Sequence, residues 1–305
     1  MPLDFPNSPV DGEYYEGFAW DATAQVWRVR GSANKALGLS GGTAVTSGGF
    51  AYQTFTASGT LVVTTAGLVE ALLVGGGGGG GNGGGGGGGG GGGVKYYASL
   101  YLPAGSHTVT VGAGGIDDVA GSGNGKDSTI GTYAVAYGGG RGGGSAYDTF
   151  YPGHGKGSNG GGSIYFGNGP SQEVNSWNLA NTGGNGTYVQ SGGGGGGAGT
   201  AGANAPAGQT GGAGGSGTNT FSAWGLATTT GHNVSGTVWF GGGGSGGPYN
   251  TNTTSSAPGS GGGGQCVSGV GQDGLANTGG GGAGSRNTSQ AGHGGSGVVI
   301  VRVAI

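Results

Sequence analysis

The chain has 305 residues, of which 93 are Gly and only 9 Pro; 7% of residues are charged and the formal net charge is −3. Collagen is excluded, because its Gly recurs at every third position beside abundant Pro, whereas here Gly stands in solid blocks. A wholly disordered chain does not fit 5 Trp, 13 Tyr and 8 Phe, which need something to pack against, and the near-neutral charge argues against nucleic acid or an anionic membrane as main partner.

Residues 1–31 are unlike the rest, with two Trp and few Gly. The start, Met1-Pro2-Leu3-Asp4-Phe5, lacks the basic-then-apolar pattern of a signal peptide. Residues 13–20 and 25–30 read as two strands around a turn at 21–24, with Trp20 and Trp27 flanking it. Such a hairpin is too small to be stable alone and calls for a partner surface. The Gly/Ser/Ala/Thr stretch 32–48 reads as a linker.

Strands are predicted next at 50–56, 60–65, 68–74, 96–102 and 106–111, with turns at 57–59 and 103–105. Segment 106–111 alternates polar and apolar residues as a half-buried strand does. Segments 68–74 and 298–305 are apolar almost throughout, as in strands covered on both faces. The last of these is expected to return to the early strands and close the domain. Glu70 and Arg302, each the lone charge in an apolar strand, are the expected cross-strand pair.

Between these strands lie the glycine blocks 75–93 (with Asn82), 138–144 (with Arg141), 160–162, 192–197, 211–217, 241–247, 261–264 and 279–284. Their interruptions are mostly Ala, Ser or Asn, a ban on large side chains that a flexible linker does not need. Ordering Gly costs about 1–2 kcal/mol of backbone entropy per residue. Polyproline-II-type helices offer an offset: three residues per turn, no internal hydrogen bonds, and every N–H and C=O pointing outward to neighbours. Without Cβ such helices can touch backbone to backbone and add Cα–H···O contacts. At ~3.1 Å per residue, block 83–93 would span roughly 34 Å. The predicted fold is all-β and irregular: a sandwich-like strand frame (49–137 and 298–305) around a polyglycine II lattice and its loops (138–297), plus the N-terminal hairpin module.

The loops carry the large side chains. Tyr147, Phe150 and Tyr151 lie in 145–159; Tyr165, Phe166, Trp177 and Tyr188 in 163–191; Phe221, Trp224, Trp239 and Phe240 in 218–240; Tyr249 stands in the otherwise small, polar 248–260. If successive blocks run antiparallel, loops 163–191, 218–240 and 265–278 share one end and 200–210, 248–260 and 285–293 the other. The two richest aromatic loops then form a displayed surface, suited to stacking and neutral hydrogen bonds with a sugar or a protein loop. The alternative is that the aromatics merely cap the lattice, in which case Trp177, Trp224 and Trp239 are buried.

Catalytic and metal motifs are weak. G-x-G-x-x-G is uninformative at this Gly content, and no Gly-Lys-Ser/Thr phosphate loop exists, since Lys126 precedes Asp127 and Lys156 precedes Gly157. The four His (107, 154, 232, 293) show no metal spacing, and Asp117, Asp118 and Asp127 near Asn124 read as a solvated turn ahead of a weak cation site. No cofactor or metal is expected. A polysaccharide-cleaving carboxylate pair is limited to Asp148 and Glu173, so an enzyme is not expected. Flat repeated Thr faces of an ice-binding protein are missing.

The order of these elements resembles a known family. "TFTASGTLVVTTAGLVEALLVGGGGGGG" (54–81), "VKYYASLYLPAGSHTVTVGAGG" (94–115) and the closing "HGGSGVVIVRVAI" (293–305) resemble the glycine-rich domains of bacteriophage tail-fibre and receptor-binding proteins. "DFPNSPVDGEYYEGFAWDATAQVWRVRG" (4–31) is similar to a short module of phage tail structural proteins. The resemblance implies a virion component that binds a host cell-surface receptor, a glycan or an outer-membrane protein. In the fibre-tip adhesins of T-even-like phages, loops between polyglycine helices touch the receptor. By that likeness loops 145–159, 163–191, 218–240 and 248–260 are the candidates, and other tail proteins are partners. The additional N-terminal module leaves open a monomer carried on another fibre or a self-trimerising fibre. A spacer or tail component without receptor contact is the alternative.

Overall fold

A computed structural model describes residues 14–15, 18–21, 26–29, 37–116, 123–144, 157–158, 160–161, 178–187, 191–207, 210–249, 256–286 and 290–305. Strands β1 (Tyr14–Tyr15), β2 (Phe18–Asp21) and β3 (Val26–Val29) form a three-stranded antiparallel sheet in which Trp20 stands opposite Trp27. Within the segment expected as one strand, 13–20, the described residues form two, with Tyr15 in register with Phe18.

Most of the remaining β-structure is a sandwich of two five-stranded sheets. One sheet has the order β5-β6-β17-β8-β9 and comprises Thr43–Ser47, Phe50–Phe55, Val298–Ala304, Gly67–Val74 and Val94–Leu102. The other has the order β12-β11-β10-β7-β4 and comprises Ala134–Ala136, Ser128–Ile130, Gly105–Thr110, Gly59–Thr65 and Leu37–Ser40. Every pairing is antiparallel. The C-terminal strand β17 lies between β6 and β8, as its composition predicts, and Arg302 stands in register with Glu70.

The stretch read as a linker supplies two edge strands. Small residues suffice there, because an edge strand is held by backbone pairing on one side only. The chain crosses from β4 to β5 through Gly41, at φ 112, where a side chain would be strained. Gln53 ties this crossing down, accepting from Gly42 N (3.2 Å) and donating to Leu39 O (3.0 Å).

Alternation divides the long strands between two cores. Phe55, Leu61, Val63, Val69, Leu73, Leu102, Val109, Ile130, Val299 and Val301 fill the space between the sheets. The opposite face of the β17 sheet presents Tyr52, Leu72, Val74, Val94, Val298 and Ile300, which pack with Trp224, Val238 and Phe240. These last belong to the segment holding helix α1 (Ser222–Thr228) and the hairpin β13 (His232–Val234) and β14 (Thr237–Trp239). A further hairpin pairs β15 (Cys266–Val267) with β16 (Val270–Gly271).

Strand β8 runs straight into the first glycine pass, 75–81. Its N–H groups fan out with a period of three. Gly75, Gly78 and Gly81 donate to Gly93, Gly90 and Gly87 at 2.8–3.0 Å; Gly76 and Gly79 to Lys126 and Gly123; Gly77 and Gly80 to Gly295 and Gly292. Three directions from three residues is the signature of a threefold extended helix. A turn at 83–85, with Gly83 and Gly85 at positive φ, leads to the return pass 86–93, shorter than the block itself.

That return pass is enclosed on six sides. It donates to passes 279–285, 137–143 and 193–196, and accepts from 75–81, 158–161 and 241–247. Outside the turn, the glycines of 75–93 do not adopt the left-handed conformation, so close approach is what requires Gly there. A Cβ at Gly88 would stand 2.1 Å from Gly244 O, and one at Gly89 2.1 Å from Gly78 O. Peptide groups thus form this core, and the N–H groups of 75–81 and 86–93 are all paired, which avoids a cost of ~1–3 kcal/mol for each buried donor.

Candidate functional site

The lattice has two ends. Gly75, Gly93 and Gly297 adjoin β8, β9 and β17 and mark the sheet end. Gly81 and Gly87, paired to each other and to Ser285 and Gly143, mark the far end. From these anchors the exit of each loop follows.

Segment 218–240 leaves and returns at the sheet end. A Cβ at Gly217 would meet Phe240 O, and one at Gly241 would meet Gly92 O and the Val94 side chain. Passes ending at Gly144, Gly161, Thr187, Ala205, Gly247 and Ser285 reach the far end, where Gly143 N donates to Gly161 O, Gly247 N to Gly86 O, and Ser285 N to Gly81 O. The expected shared end for 163–191 and 218–240 is therefore corrected. Non-glycine stretches also make passes: Gly184 N bonds Gly194 O, Gly194 N bonds Ala203 O, and Leu275 N bonds Gly262 O. Segments 181–186, 200–205 and 272–275 are lattice members, and the parity of the loops changes with each.

The aromatic residues sort accordingly. Trp224 is 5% exposed and Phe240 fully buried; both pack on the β17 sheet, which corrects their assignment to a contact surface. A strand apolar on both faces needs cover on both, and 218–240 is the second cover. Phe221, half-buried, packs against Tyr96 with ring centres 5.3 Å apart and the planes tilted by 42°, and Trp239 is half-buried on β14. Tyr249 is 38% exposed and follows Gly247 at the far end. Tyr147, Phe150, Tyr151, Tyr165, Phe166, Trp177 and Tyr188 lie outside the described residues, as do Asp148 and Glu173.

Charges near the cover are structural. The Arg302 guanidinium lies 3.8 Å from the Phe50 ring centre and 4.1 Å from that of Trp224. It donates to Glu70 Oε2 at 2.7 and 3.1 Å and to the Tyr52 hydroxyl at 3.2 Å. Tyr96 donates to the same Glu70 oxygen at 2.8 Å, and its phenol is pushed up to about 12, first by burial and then by Glu70. Asn124 and Asp127 serve the backbone, accepting from Arg141 N and Gly138 N at 2.9 Å. His107 Nε2 lies 2.8 Å from Pro103 O, and His232 Nδ1 accepts from Gly261 N and Gly262 N at 3.3 and 3.1 Å.

Far-end surface features were missed in the sequence. Val267 and Val270 stand 42% and 49% exposed on the β15–β16 hairpin, which docks through Cys266 N to Ser245 Oγ at 3.0 Å. Cys266 itself is buried, which pushes its thiol up to about 11. Arg286 N donates to Gly269 O at 2.9 Å. A Val-Ser-Gly-Val sequence between glycine blocks is the turn signal that could have revealed the hairpin.

A family profile described as a glycine-rich domain matches residues 53–304. The chain belongs to that family. The match begins within β6 and ends at the last residue of β17, so the glycine-rich domain takes in the lattice and most of the strand frame that closes it. No curated protein matches the chain.

Proposed function

We propose that this protein is a bacteriophage tail-fibre adhesin, a virion component whose far-end loops contact a receptor on the host cell surface, a glycan or an outer-membrane protein. The observation that carries the reading is the gathering of loop exits at the end opposite the sandwich. Passes through a rigid backbone lattice bring both ends of 188–190, 248–256 and 286–289 to that end, and 145–156 and 162–177 start from it, the chain re-entering at the sheet end beside Gly93 and Val94. Loops held by a rigid scaffold are where recognition residues concentrate. The likeness of 54–115 and 293–305 to phage fibre domains supplies the biological setting, and the module 4–31 is the attachment to other tail proteins. The purified full-length chain is expected to block adsorption of the phage that carries it. Exchanging 248–256 and 286–289 with those of a host-range variant should move host choice. Unchanged adsorption in the presence of excess protein would contradict the proposal.

One observation favours a second reading, a structural tail component without receptor contact. Trp224 and Phe240, two of the largest side chains between the glycine blocks, are spent on packing. Direct binding of the labelled protein to bacterial cells separates the two, since a spacer binds none.

A further inference from the structure

We infer that the far end of the lattice holds a site for a carboxylated saccharide, a uronic acid by chemical class. In it the Arg286 guanidinium takes the carboxylate and the Tyr249 ring lies on the sugar face. The inference rests on the adhesin reading and names the ligand class for it.

Passes 241–247 and 279–285 run side by side in the same direction, Gly281 N donating to Gly242 O at 2.8 Å and Gly284 N to Ser245 O at 2.9 Å. Tyr249 and Arg286 therefore leave the lattice as neighbours. The β15–β16 hairpin sits against both passes through Ser245 and Arg286, and adds the exposed Val267 and Val270. Gly269 at the hairpin turn leaves the guanidinium room to rest there: a Cβ would stand 3.1 Å from Arg286 Nε.

Two polar atoms here lack partners. Arg286 Nε is buried without an acceptor, and Ser191 Oγ is fully buried without one. Ser191 bridges to Pro248, beside Tyr249. Arg286 as a whole is only half-buried, and an Nε without an acceptor leaves its guanidinium uncommitted to a protein carboxylate. A guanidinium matches a carboxylate through two parallel N–H···O bonds, and an aromatic ring suits the apolar face of a sugar. Passes 192–198, 211–217, 241–247 and 272–275 contain no Lys or Arg, and their one acid, Asp273, accepts from His293 N at 2.7 Å. A single cation fits one carboxylate better than a phosphate dianion.

The test is calorimetric titration of the full-length protein with oligomers of galacturonate, hyaluronan and alginate, each against its methyl ester, and with inorganic phosphate. At least one acid oligomer should bind about tenfold or more tighter than its ester, and Arg286→Gln should remove that difference while leaving the melting temperature unchanged. Arg286→Lys should retain part of it, and Tyr249→Ala should weaken acid and ester alike. Equal binding of acid and ester, no binding of any oligomer, full binding by Arg286→Gln, or equal competition by phosphate would each overturn the inference. Labelled protein on a panel of bacterial strains separates the two levels. Adherence by wild type and Arg286→Gln alike defeats the ligand class and leaves the adhesin reading standing; adherence to no strain defeats the adhesin reading.

Discussion

Gly89 has no room for a methyl group: its Cβ would stand 2.1 Å from a carbonyl oxygen fixed by pass 75–81. Gly59 on strand β7 would meet only the Phe55 ring, at 3.5 Å, an ordinary contact. Gly89→Ala is therefore expected to lower stability by about 1–3 kcal/mol or more through overpacking. Gly59→Ala should be neutral or stabilising, because it removes unfolded-state freedom without strain. Scanning calorimetry of the two variants checks the contrast. Tyr96 gives a second expectation at this scale. Its folded pKa of about 12 exceeds the ordinary 10, so its contribution is fully present below pH 10 and is lost as pH rises towards 12. Buried Cys266, raised from 9 to about 11, adds a similar loss over its own window. Tyr96→Phe should flatten the alkaline fall of the melting temperature between pH 10 and 12, and an unchanged slope would contradict that origin.

At the scale of elements, the strand frame was legible and the cover was not. Period-two alternation in 106–111 and unbroken apolarity in 68–74 and 298–305 state their burial directly, and the lone charges Glu70 and Arg302 meet at 2.7 Å. Segment 218–240 carries no comparable period. Its Trp and Phe looked free for display, whereas the two-faced strands had already implied a second covering layer. Arg302 then joins cover to sheet, held between Phe50 and Trp224. Trp224→Ala should cost about 3–5 kcal/mol and lower the melting temperature by on the order of 10 °C. Tyr249→Ala, at the exposed far end, should leave it nearly unchanged. Equal effects would mean that the cover is not part of the core. Wholesale exchange of 218–240 is expected to impair folding, unlike exchange of 248–256.

Over the whole molecule, the glycine count marks the material of the core but not its route. Lattice membership depends on a backbone that can approach its neighbours, so Thr200, Asn181 and Gln272 join passes with no periodic signal. Asn181 Nδ2 even donates to Gly197 O at 2.9 Å in place of a backbone group. Each such pass reverses the chain once more, which is why a count from glycine blocks alone put 163–191 and 265–278 with 218–240, although it did bring 200–210, 248–260 and 285–293 to a common end. The central claim is that residues 75–93 are a hydrogen-bonded core. Amide hydrogen exchange followed by mass spectrometry, on peptides spanning 75–93 and 298–304, tests it most directly. Protection of 86–93 comparable to that of strand β17 is the predicted result; complete exchange of 86–93 at the earliest time point, with β17 still protected, would contradict it.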